Sequence, residues 1–262
     1  MRHEKDSNMM NLLSRTTHRT HFPAVLALLT SGVLCGPTSA GEPQSTAEAM
    51  MVRAHQARAE WHNFPGFLAD ISVATEGTTL EGRIQVASDG TLELTLDGND
   101  EFAWVEPRLR SLVNHRLPPE REREFDVAFA DAVTTHPLGR LIRFNEDRLH
   151  SVYRIRDDVI TEVHRTMGKT RFTISVTETS RNSDSKVLPG SYSLSWWDVD
   201  SGDLTASETV RNDWVRVGQW DLPSRVLSVR TEDNARREVR QITFTNHRIS
   251  PAAESETGDA GQ

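Results

Sequence analysis

The chain has 262 residues, with 30 lysines and arginines against 38 aspartates and glutamates, and 36% of it is hydrophobic. Its net charge of −8 repels a polyanion at long range, and basic residues are interleaved with acidic ones, so nucleic acid is not expected as a partner. A single cysteine, Cys35, supplies neither a disulfide framework nor a cysteine-based metal site.

Residues 1–40 carry a targeting pattern. Arg2, Lys5, Arg15 and Arg19 outweigh Glu4 and Asp6, the run from Phe22 to Gly36 is mostly apolar, and Pro37-Thr38-Ser39-Ala40 follows with small residues. This is the order of a secretory signal peptide. Cleavage after Ala40 and a periplasmic or secreted protein are expected. The apolar run is short of the roughly 20 residues that span a bilayer, and no second run reaches that length. Leu34 stands where a lipoprotein peptidase needs a small residue, which argues against a lipid anchor on Cys35. Removing residues 1–40 takes away four basic and two acidic side chains and leaves a net charge of about −10. Residues 41–250 are expected to form one β-rich domain. The small, polar, acidic tail 251–262 reads as disordered.

The domain opens with a helical pattern. Ser45 and Glu48 have the spacing of a capping box, and Ala47, Met50 or Met51, Ala54, Arg58 and Trp61 recur at three- and four-residue steps. Asn63 to Gly66 should end this helix, with His55 and His62 solvated. The period then becomes two, through Ile71 and Val73, Ile84 and Val86, and Leu92, Leu94 and Leu96. Turns at 76–78 and 88–91 make this an antiparallel meander with one apolar face. A second helix is expected over 106–117, with Pro107 in its first turn and Leu109, Leu112, Val113 and Arg116 on one side. Pro118-Pro119 stops it. The run 120–124 reads either as a short helix or as the start of a strand through Phe125, Val127 and Phe129.

From His136 to Thr179 the sequence reads as four short strands, punctuated at 145–147, 157–158 and 167–169. Tyr192, Leu194 and Trp196 mark another strand, closed by a turn at 200–203. A long segment runs through Thr209, Trp214, Val217 and Trp220, and Leu222-Pro223 is expected to precede strands at 225–231 and 238–247. The fold class is therefore mainly β (α+β). The economical architecture is a large curved antiparallel sheet or open half-barrel of about 10–12 strands, with two or three helices on one face.

Motifs of chemistry are few. Gly168-Lys169-Thr170 lacks the first glycine of a phosphate loop and leads into a strand, so it is a hairpin turn. Asp198 to Asp203 lacks the third ligand and closing glutamate of a calcium loop and is also a turn. No nucleophile elbow or His-Glu-x-x-His pair occurs. No metal, cofactor or catalytic residue is assigned. His136, His150 and His164 fall in one sheet region without a carboxylate at a diagnostic spacing, and read as face residues. Arg140, Arg154 and Arg156 form either an ion-pair face with Asp157, Asp158, Glu162 and Glu178, the favoured reading, or an anion site. Trp196, Trp197 and Trp214 fill a core or wall a pocket. These three arginines and three tryptophans are the candidate ligand-binding residues.

HPLGR at 136–140, SVYRIRD at 151–157, HRTMGKTRFTISV at 164–176, WWD at 196–198 and WVRVGQWDLP at 214–223 carry a resemblance. It is to an uncharacterised family of cyanobacterial and plastid proteins, over about Ala49 to Ile249, and it implies no activity. More loosely, the opening helix, the meander starting near Gly66-Phe67 and the late Leu222-Pro223 before two closing strands are similar to periplasmic lipoprotein carriers. That resemblance implies an open half-barrel shielding lipid in its concave face. The expected function is thus a non-enzymatic exported carrier of an apolar or amphipathic ligand. The alternatives are an enzyme acting on a small anionic substrate through His136 or His164 and neighbouring arginines, and an assembly protein pairing through a sheet edge.

Overall fold

The computed structural model describes residues 46–119, 124–132, 134–232 and 237–251. The expected signal peptide and acidic tail, the Ser45 cap and most of the 120–124 run lie outside the described residues. The elements are α1 (Ala47–Gln56), β1 (Gly66–Thr75), β2 (Thr78–Ala87), β3 (Leu92–Leu96), a 3₁₀ turn (Asp100–Phe102), α2 (Val105–Asn114), β4 (Val127–Phe129), β5 (Arg140–Phe144), β6 (Val152–Arg156), β7 (Val159–Met167), β8 (Thr170–Arg181), β9 (Val187–Asp198), β10 (Leu204–Val217), β11 (Trp220–Glu232) and β12 (Arg237–Ile249).

All twelve strands join one open antiparallel sheet in the order β3-β2-β1-β12-β11-β10-β9-β8-β7-β6-β5-β4. Ten of its eleven neighbour pairs are consecutive in sequence. The exception is β1 with β12, which brings the two ends of the domain together. Short turns produce this regularity. Asp157 and Asp158 both have positive φ, 52° and 58°, the requirement of a tight hairpin turn that matches strand twist. Met167 pairs with Thr170 around Gly168-Lys169, and Val217 with Trp220 around Gly218-Gln219.

Several boundaries differ from the sequence expectation, among them the end of α2, at Asn114 and not 117. Thr46 caps α1, its hydroxyl accepting from the Ala49 amide at 3.1 Å. α1 stops at Gln56 instead of running to Trp61, because the Ala57 carbonyl accepts from Val187 N at 2.7 Å and Ala59 N donates to Val187 O at 2.9 Å. These bonds attach the segment to the start of β9. Finally, Leu222-Pro223 lies inside β11. Pro223 faces Trp214 beside a register shift, a place where the missing N–H removes no regular ladder bond.

The helices cover the two halves of the sheet separately. Val105, Leu109 and Val113 of α2 join Phe67, Ile71, Val73, Ile84, Val86, Val210, Val226, Ile242 and Phe244 in one buried cluster. Met51 and Ala54 of α1 join Ile142, Tyr153 and Ile155 in another.

Candidate binding face

Antiparallel register shows which residues share a face, because directly opposed residues point the same way and residues two apart do too. Val73 faces Ile242, which faces Val226; Ser228, two residues on, faces Val210. Val210 faces Tyr192, and Tyr192 faces Val176. Ile174, two residues earlier, faces Val163, which faces Tyr153 and then Ile142. Both helix-covered clusters therefore occupy one face, the inner face. Phe172, Ile174 and Val176 on β8 and Trp196 on β9 lie on it between them, half-buried and in neither cluster. From Val163 of β7, packed on one cluster, to Leu194 of β9, packed on the other, is two strand spacings, about 10 Å. An apolar strip of that width crosses the inner face.

One end of the strip is charged. Glu208, two residues from Val210, is 1% exposed. It pairs with Arg108 of α2 and lies 3.7 Å from Arg230, whose guanidinium stacks 4.5 Å over the Trp196 ring. Arg230 also pairs with Glu232, and Arg240 with Glu238. Burial pushes the Tyr192 phenol above its usual range, against the opposing pull of Arg108. On the β7 side of the strip, Arg165 donates to the Tyr153 hydroxyl and, at 3.1 Å, to Ser151 Oγ.

Just past the end of α2, burial lowers the Arg116 guanidinium to about 10, assisted by repulsion from Arg58. Its Nη1 donates to Ala59 O at 2.9 Å and its guanidinium lies 5.5 Å from the Trp214 ring. His115 is likewise pushed down by burial, with the cations Arg58, Arg116 and Arg165 adding to the effect.

Arg154, Glu162 and His164 lie on the outer face, whereas Arg140, which faces Ile155, lies on the inner one. Asp131 joins the two, 3.2 Å from Arg140 and 3.3 Å from Arg154, and Arg154 lies 3.3 Å from Glu162. Burial opposes ionisation of Asp131, but the Leu141 amide and Arg140 outweigh it and hold the carboxyl below its usual range. His164 lies between acid and alcohol, with Nε2 3.5 Å from Glu162 Oε2 and Nδ1 3.0 Å from Thr173 Oγ1. No carboxylate stands out beside the histidines by sequence spacing, yet the sheet sets one next to His164. Glu162 and His164 are two apart on one strand, a spacing that puts them side by side. His136 instead accepts from the Leu138 amide in an exposed turn.

The six expected binding residues do not converge. Arg140 and Arg154 meet at Asp131, while Arg156 pairs with Asp157 and donates to Pro137 O at 2.7 Å. Trp196 belongs to the strip. Trp197, next in the strand, points to the outer face with Arg171 5.2 Å over its ring. Trp214 lines a pocket of about 480 Å³ with Leu188, Asn212 and Asp221, and its indole donates to Pro189 O at 2.9 Å. Sequence reasoning missed Glu208, although the alternation of Ala206, Glu208 and Val210 places a carboxylate on an apolar face.

Fold and face define a mainly β protein: one open twelve-stranded antiparallel sheet with two helices, and an apolar strip between them. The chain belongs to a family described as proteins of unknown function, DUF3386, which matches residues 42–249. Comparison with curated proteins gives no match. Among solved structures it is similar to a LolA superfamily protein from Nitrosomonas europaea, at 12% identity and a TM-score of 0.33, over 79% of this chain and 94% of that one. It is also similar to MucB in complex with MucA(peri), at 11% identity and a TM-score of 0.20, over 79% of this chain and 99% of that one. For a MucA/MucB complex of Pseudomonas aeruginosa the values are 12% and 0.18, over 79% and 99%.

Proposed function

We propose that this protein is an exported, non-enzymatic carrier or binding protein for an apolar or amphipathic small molecule, held on the inner face of the sheet. The observation that carries this reading is the strip of Phe172, Ile174, Val176 and Trp196, half-buried between two packed clusters on one face. Export rests on the targeting pattern of residues 1–40. Arg140, Arg154 and Arg156 are engaged by Asp131, Glu162 and Asp157, which leaves the polar contacts of the ligand to residues beside Trp196. Fully burying one large apolar side chain is worth about 1.5–3 kcal/mol. Four that are already about two-thirds buried or more offer at most about 2–4 kcal/mol in total, which is millimolar binding or weaker before ordering costs. Tighter binding needs polar contacts as well. Native mass spectrometry of the protein taken from its host should show retained small amphipathic molecules. A ligand-free spectrum, with no uptake of a hydrophobic fluorescent probe, counts against the reading.

A second reading rests on His164, placed between Glu162 and Thr173 as a base between its orienting acid and a hydroxyl. It predicts esterase-type activity on small anionic substrates. That activity must vanish in both His164→Ala and Thr173→Val; activity surviving either change sinks it.

A further inference from the structure

Buried side-chain polar atoms nearly always have a hydrogen-bond partner, and an orphan calls for an explanation. Among the described residues, three such atoms have none: Trp104 Nε1, Arg240 Nε and Thr205 Oγ1. Two of the three belong to one contact, with the Arg240 guanidinium 5.3 Å over the Trp104 ring. Both are N–H donors that can accept nothing.

Their position ties them to the apolar strip. Arg240 faces Ser228 on the inner face. Arg108, whose amide donates to Trp104 O at 3.3 Å one helical turn away, pairs with Glu208, and Arg230 reaches from Glu208 to the ring of Trp196. A continuous polar margin therefore runs from the strip's tryptophan to the two orphan donors.

Charge decides what this margin would accept. The three guanidiniums of Arg108, Arg230 and Arg240 are matched by the three carboxylates of Glu208, Glu232 and Glu238. An added anion would meet no surplus cation here. The unmet requirement is an acceptor for N–H donors.

We propose that Trp104 and Arg240 form a head-group subsite for an uncharged acceptor oxygen, the carbonyl of an ester or amide, on an amphipathic ligand whose apolar part lies on the strip. This rests on the carrier reading. Both donors are closed from solvent, so the entering head group must part Arg240 from Trp104 while Glu238 holds the guanidinium through Nη2. The carbonyl then accepts from Trp104 Nε1, Arg240 Nε or both.

The experiment uses the full chain and the fluorescence of 1-N-phenylnaphthylamine, displaced by 1-monooleoylglycerol or by oleate. Trp104→Phe removes one N–H and keeps a ring; Arg240→Lys removes the other and keeps the charge facing Glu238. In the wild type, monooleoylglycerol should displace the dye more tightly than oleate. The ratio of monooleoylglycerol affinity to dye affinity should fall about 2- to 12-fold in each variant, the range for loss of one hydrogen bond. Saturable dye binding with ratios unchanged in both variants, or with oleate the tighter competitor, overturns the subsite and leaves the carrier reading standing. Absence of saturable dye binding in the wild type overturns both.

Discussion

Glu208 shows how one side chain can organise a face. It is buried between Arg108 of a helix and Arg230 of the adjacent strand, so removing its charge leaves two guanidiniums facing each other. Breaking a buried ion pair from one side costs about 3–5 kcal/mol. Glu208→Gln should therefore lower the unfolding free energy by about 3 kcal/mol in urea titration; a change below the roughly 0.5 kcal/mol of an ordinary surface substitution would contradict the geometry. The acid was legible in the alternation of 206, 208 and 210. Its partner in α2 was not, because 100 residues separate Arg108 from Glu208. Asp131 belongs to the same scale. Its folded pKa is depressed, so its contribution to stability is complete above the unfolded value of about 3.9 and is lost as pH falls through the folded value. The urea midpoint should hold steady above about pH 5 and decline below pH 4. In Asp131→Asn that decline should be shallower, and an unchanged slope would remove Asp131 from the acid response.

Individual elements were read well where local chemistry decides and poorly where distant contacts do. The strands between His136 and Thr179 are four, as their turns require, and the 157–158 and 167–169 breaks are tight hairpins. The end of α1 was missed because its last expected turn is diverted onto Val187, a partner 130 positions away that leaves no periodic trace. Pro223 was placed before a strand for a sound reason, and the bulge beside Trp214 is what admits it. Gly139 tests how tightly β5 and β6 close. It has φ +88°, and a Cβ there would lie 2.0 Å from the Ile155 carbonyl oxygen. Gly139→Ala should cost on the order of 2 kcal/mol from strained backbone alone. A melting temperature equal to wild type would mean that the hairpin relaxes at no cost.

At the scale of the molecule, the sequence carries the strand count, the single sheet and the two unlike faces, since each follows from period and turn. It does not carry the pairing of β1 with β12, nor the crossing from β3 at one edge to β4 at the other. Those decide that α1 and α2 cover separate halves. The division into two clusters leaves β8 and the Trp196 end of β9 between them, so of six expected binding residues only Trp196 belongs to the strip. Consecutive Trp196 and Trp197 had to part, because a strand sends neighbours to opposite faces. The most direct test of this account is titration of 1-N-phenylnaphthylamine into wild type and Ile174→Asp, which places one carboxylate in the middle of the strip. Saturable binding by wild type, weakened at least tenfold in a variant whose circular dichroism is that of wild type, is the expected result. No saturable binding by wild type, or equal affinity in the two proteins, would contradict it.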